Sequence, residues 1–164
     1  MGLRIKLFSL LFSVTLASCA QKIARAPLYY TYDKEDVDIK GMEKDIFFYI
    51  NEYRGSLGLG ALQMLKEATT EAVNHSAEMA NKTSAFGHDG FDARIDNIQL
   101  KIGFVYGAAE NVAYGKLSAK EVVDLWINSP PHKKNIDGNY GFTGIGVVKN
   151  SDGLPFYTQI FIHK

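Results

Sequence analysis

The sequence predicts an α+β domain, layered α-β-α, with a small antiparallel sheet. Two observations carry this. Four segments before residue 130 place apolar residues at helical spacing, whereas the end of the chain turns to β-branched and aromatic residues. A chain of 164 residues is one domain's worth, and helices beside a short sheet pack as layers around one core.

The first helix is expected from Met42 to about Arg54, where Met42, Ile46, Ile50 and Tyr53 share a face and "GSLGLG" stops the run. A longer helix is expected over Leu62–Asn81, with Leu65, Ala68, Ala72, His75 and Met79 on its buried side. A third spans Phe91 to about Ile98. The fourth, Ser118–Asn128, opens on a capping box of Ser118 and Glu121 and buries Val122, Leu125 and Trp126. "TGIGVVKN" and "PFYTQIFIHK" read as a hairpin around "NSDG", and "ENVAY" supplies a third strand.

The first residues read as a targeting segment. Arg4 and Lys6 precede the apolar run "LFSLLFSVTLA", which is too short to predict a membrane span. "LASC" resembles a bacterial lipobox, in which the cysteine carries the lipid. Cys19 is the one cysteine of the chain, and lipidation accounts for a lone thiol in an exported protein. The expected organisation is a signal peptide over 1–18, a lipidated Cys19 with its tether over 19–41, and the domain over 42–164. Losing residues 1–18 leaves 16 basic against 18 acidic residues, so an anchor would be the lipid rather than charge. No basic run suits a nucleic acid.

The chemistry-bearing residues are few. HExxH, GxSxG, a phosphate-binding glycine loop and a metal-binding cysteine set are all missing from the sequence. In "SPPHKKNIDG", Ser129 is a helix cap and Pro130 the first helical residue, so His132 stands on a fixed first turn. The positive helix end favours neutral imidazole there, which suits hydrogen bonding and coordination alike. His88 lies between Gly87 and Gly90, on a turn that either points into a cleft or faces solvent. Glu110 sits in the apolar stretch "YGAAENVAYG" and needs a partner if buried. That partner is a structural N–H or Arg, or a water the carboxylate orients. Asn111 beside it can bond backbone. His75 reads as a core histidine, and His163 carries no functional expectation.

These blocks together resemble the CAP superfamily (cysteine-rich secretory proteins, antigen 5 and pathogenesis-related 1 proteins; the SCP domain) in its bacterial form. The matching stretches, in order, are "INEYRGSLGLGAL", "HSAEMA" with "FGHDGF", "GAAENVAYG", "VVDLWINSPPHKKNI" and "TGIGVV…FYTQIFI". The resemblance implies an α-β-α sandwich with a cleft lined by two histidines and two glutamates, some members binding zinc or another divalent ion. By position His88 and His132 match the histidines and Glu110 one glutamate. The other glutamate is absent after Trp126, where this chain reads "INSPP", and the family's disulfides are absent too.

The expectation is an exported, lipid-anchored binding module of the bacterial cell envelope, on the outer membrane in a Gram-negative cell. His88, His132 and Glu110 would hold one divalent ion, zinc first. The partners are the membrane, through Cys19, and an envelope ligand that is a lipid, a peptide or a glycan. Neither nucleic acid nor a second copy is expected. The alternative functions are a metal-dependent hydrolase of peptide or cell wall, and an interaction protein whose histidines serve stability.

Overall fold

A computed structural model describes residues 37–164. The predicted signal segment, Cys19 and most of the predicted tether fall outside these residues. Val37 and Ile39, read as tether from the sequence, pack against the core.

Among the described residues, five helices surround one four-stranded sheet. They are α1 (Met42–Ser56), β1 (Gln63–Met64), α2 (Lys66–Ala80), α3 (Phe91–Ile102), β2 (Gly107–Tyr114), α4 (Ala119–Ile127), α5 (Pro130–Ile136), β3 (Phe142–Lys149) and β4 (Pro155–His163). The sheet order is β1-β3-β4-β2. β4 pairs antiparallel with both β3 and β2, and β1 adds a short parallel pairing to β3. The observed architecture is thus the predicted α+β class, and the described sheet is mixed rather than wholly antiparallel. Among the described residues no helix is long and apolar enough to cross a membrane.

The helices lie on two sides of the sheet. On one side Ala68 and Ala72 of α2 and Ile98 of α3 pack against Ile160 and Ile162. On the other, Ile46 and Ile50 of α1, Val122 and Trp126 of α4 and Ile136 of α5 enclose Ile145, Tyr157 and Phe161. Alternation along β4 sends neighbouring residues to the two cores. α2 lies directly on β3, because Gly144 and Gly146 have no side chain to hold it off. A Cβ at either would fall 2.1–2.3 Å from the α2 backbone.

Two boundaries and one buried face differ from the sequence reading. The second helix begins at Lys66, not Leu62. The amides of Gln63 and Leu65 bond the carbonyls of Gly141 and Thr143, so pairing with β3 wins over helical spacing. The third helix runs on to Ile102 and stops where Gly103 takes φ 85°. In α4 the capping box forms, but Leu125 is 41% exposed, and Val123 joins Val122 and Trp126 in the core. The spacing of Ala119, Val122, Val123 and Trp126 is the one that keeps a single helical stripe.

The opening helix also ties the fold together. Asn51 bonds both the amide and the carbonyl of Leu62, at 2.8 and 3.1 Å. Arg54 is buried, and its guanidinium donates to the carbonyls of Gly60, Ile136, Gly138 and Tyr140. It therefore joins the loop after α1, the end of α5 and the entry to β3.

Candidate functional site

Glu110 lies on β2 with its side chain on the α2 and α3 side of the sheet. Its register partner Ile160 belongs to that core. The carboxylate is almost fully buried, so it must be matched by donors. Arg94, on the first turns of α3, supplies two: Nε donates to Oε2 at 2.9 Å and Nη2 to Oε1 at 2.8 Å. The Arg94 side chain is itself only 7% exposed. Its Nη1 donates to the carbonyl of Asp89 at 2.8 Å, which fixes the turn that carries His88.

His88 completes the arrangement. Its Nδ1 is 2.9 Å from Glu110 Oε1, while 53% of its side chain is exposed. The ring thus meets both carboxylate and solvent. With Nδ1–H donating to the carboxylate, Nε2 carries the free lone pair. His75 stands behind, fully buried on α2. Its Nε2 meets the Gly87 carbonyl at 2.9 Å, and Nδ1 lies 3.4 Å from Glu78. That is the satisfied core histidine read from the sequence, although its Nε2 also lies 3.8 Å from Glu110.

His132 approaches from α5. Pro130 and Pro131 open that helix, with Ser129 at the cap position. The Ser129 side chain does not cap the backbone, a departure from the sequence reading. Its Oγ instead meets His132 Nδ1 at 2.8 Å. The proline-fixed turn thus orients the ring through its own cap residue and turns Nε2 away from that bond. The His132 pKa is pushed below the ordinary histidine value, first by burial and then by His88. The direction is the one read from the sequence, but its causes are burial and His88 rather than the helix end.

The structure therefore joins His88 and Glu110 in direct contact and sets His132 near enough for His88 to disfavour its charge. His163 lies apart, edge-on to Tyr106 with ring centroids 5.9 Å away. Sequence reasoning named an Arg only as a generic partner for Glu110. Arg94 was legible as the single cation of "FDARI", one turn before the apolar Ile98 and so on the same, buried face of the helix.

No described group of three or more His, Cys, Asp or Glu side chains is arranged to hold a metal ion. Both Glu110 oxygens already accept hydrogen bonds, so the nitrogens left for a divalent ion are Nε2 of His88 and Nε2 of His132. Each opposite nitrogen is held by an oxygen, the usual support for an imidazole ligand. These two donors fit an open, partly protein-bound ion and not a closed four-ligand site.

The sequence pattern of the CAP family, the cysteine-rich secretory protein family, matches residues 47–161. The chain belongs to the CAP family. It is 32% identical over 130 residues to YkwD of Bacillus subtilis, spanning 77% of this chain and about half of that protein's length, 49%. Among solved structures, an outer surface protein of Borrelia burgdorferi is similar at a TM-score of 0.68 and 21% identity, over 79% of this chain and 98% of that one. An extracellular SCP-domain protein of Bacillus anthracis is similar at a TM-score of 0.62 and 28% identity, over 76% of this chain and 41% of that one. The CAP fold accounts for the two-sided sheet, with Glu110 on β2 between the His88 turn and α5.

Proposed function

We propose that this CAP domain is an exported binding module of the bacterial cell envelope, lipid-anchored through Cys19, whose cleft takes up a ligand together with a divalent ion. One observation carries the reading: His88 and His132 each have Nδ1 held by an oxygen and Nε2 left over. Export is supported by the signal-like first residues and by the outer-surface and extracellular descriptions of similar proteins.

The residues divide the work. Arg94 fixes the Glu110 carboxylate, the carboxylate orients the His88 ring, and Ser129 orients the His132 ring. A divalent ion held by the two Nε2 atoms would supply a Lewis acid for a carboxylate, carbonyl or phosphate oxygen. Two protein ligands bind an ion weakly, so a ligand that adds its own oxygen would bind jointly with it. A lipid headgroup, a peptide carboxylate and an acidic glycan all offer such an oxygen.

Binding is favoured over hydrolysis by Glu110. Its two oxygens already accept from Arg94 and His88, so it is poorly placed to take a proton from water. The test is to incubate residues 20–164 with bacterial envelope fractions, with and without zinc and with chelator. Retention of an envelope component without its cleavage supports the module. Cleavage abolished by chelator would favour the hydrolase instead.

A further inference from the structure

We propose that Asn111 and Asn135 are positioning residues: together they form a bridge over the edge of β2 that sets where His132 stands relative to Glu110 and His88. The zinc readout below rests on the paired-histidine reading; the structural readout does not.

Glu110 and Asn111 are consecutive on β2, so their side chains leave on opposite faces. Glu110 turns toward Arg94 and His88. Asn111 is fully buried and turns toward α5, where its amide donates to the carbonyl of His132 at 3.2 Å. Asn135 lies one turn beyond His132 on α5. Its amide nitrogen donates to the carbonyl of Glu110 at 3.1 Å and to Oδ1 of Asn111 at 2.9 Å. The two amides fix each other. Asn135 takes the oxygen of Asn111, which leaves the nitrogen of Asn111 for His132.

These bonds join the backbone of Glu110, whose carboxylate meets His88, to that of His132. The carbonyl of Glu110 is bound to α5, and the carbonyl of His132 is bound to β2. α5 has seven residues, too few to hold its place by helix formation alone. Its far end is secured by buried Ile136 and by Arg54 on the Ile136 carbonyl. The end that carries His132 is secured by the asparagine bridge.

Covering an exposed strand edge does not by itself require this arrangement. Just along the strand, Trp126 Nε1 donates to the carbonyl of Val112 at 3.3 Å with no link to a histidine. Trp126→Phe is therefore the natural control: it removes a buried side-chain bond to β2 and leaves the Trp126 carbonyl that accepts from the Ser129 amide in place.

The experiment compares residues 20–164 with their Asn111→Leu, Asn135→Leu and Trp126→Phe variants. All described elements lie within this fragment, and it lacks Cys19, a competing zinc ligand. Zinc affinity is measured by calorimetry, melting temperature by circular dichroism, and the place of α5 by crystallography. The asparagine variants should lose about tenfold or more in zinc affinity and displace the His132 end of α5 from β2. Trp126→Phe should keep both at a comparable loss of melting temperature. Asparagine variants that match Trp126→Phe in affinity and in α5 placement overturn the proposal. If the unmutated fragment binds no zinc, the paired-histidine reading fails and the crystal structures decide alone: a displaced α5 supports the bridge, an unmoved one contradicts it. If a Leu variant does not fold, Asn111→Thr or Asn135→Ser is read in its place by the same criteria.

Discussion

Arg94 and Glu110 meet through two parallel hydrogen bonds, 2.8 and 2.9 Å long, with both side chains almost out of solvent. The pair joins α3 to the edge strand and turns a buried carboxylate into a fixed acceptor for His88. Removing one partner strands the other charge in the interior. Arg94→Met should therefore cost about 3–5 kcal/mol of stability. Glu110→Gln should cost a similar amount, and the double variant less than the sum. Urea unfolding of the three variants measures this. Additive losses would mean that the two groups act separately.

His132 makes folding sensitive to mild acid. Its folded pKa lies below the ordinary histidine value, by burial first and His88 second. The unfolded chain therefore takes up the proton at a higher pH than the folded one. The His132 contribution is complete above about pH 6.5 and is lost as pH falls from there through the lowered folded pKa. Melting temperature should drop between pH 7 and pH 5, and less steeply in His132→Gln. An equal slope in that variant would assign the acid sensitivity elsewhere.

The contact of α2 with β3 leaves no room for a methyl group. A Cβ at Gly144 would lie 2.1 Å from the backbone of Ala68 and Thr69, and one at Gly146 would lie 2.3 Å from that of Val73. Backbone cannot swing aside as a flexible side-chain end does. Gly144→Ala and Gly146→Ala should each cost about 3 kcal/mol or more, against little change for Gly60→Ala, where the space is open. Thermal melting of the three variants checks the ordering.

Arg54 satisfies the carbonyls of Gly60, Ile136, Gly138 and Tyr140. A lysine carries the charge but not the fork that reaches several acceptors. Arg54→Lys should destabilise by about 2 kcal/mol or more, because carbonyls are left without donors. It should also raise hydrogen exchange around Gly138–Gly141 more than in α3. Uniform exchange across the chain would contradict that local role.

How far the sequence leads depends on the kind of signal. The capping box at Ser118 and the hairpin around Asn150 are local chemistry, and both form as read. Leu62–Leu65 reads as helix because a helical spacing of apolar residues can also be met by chance. Its strand partner Phe142 lies far along the chain. At the site, His88, Glu110 and His132 are legible as residue types in ordered motifs. Their connections are not. Arg94 reaches Glu110 from another helix, Ser129 serves its neighbour instead of the backbone, and Asn135 bridges two elements. The Arg94 and Asn135 pairings arise from tertiary placement, which no spacing rule encodes, whereas Ser129 and His132 lie one turn apart and share a local contact.

In the proposed function His88 and His132 present two Nε2 atoms to one divalent ion. The most direct measurement is zinc titration by calorimetry on residues 20–164, beside His88→Ala and His132→Ala. One ion per chain is expected, with binding lost in both variants. Absence of binding in the unmutated fragment, or binding that survives both substitutions, would contradict it.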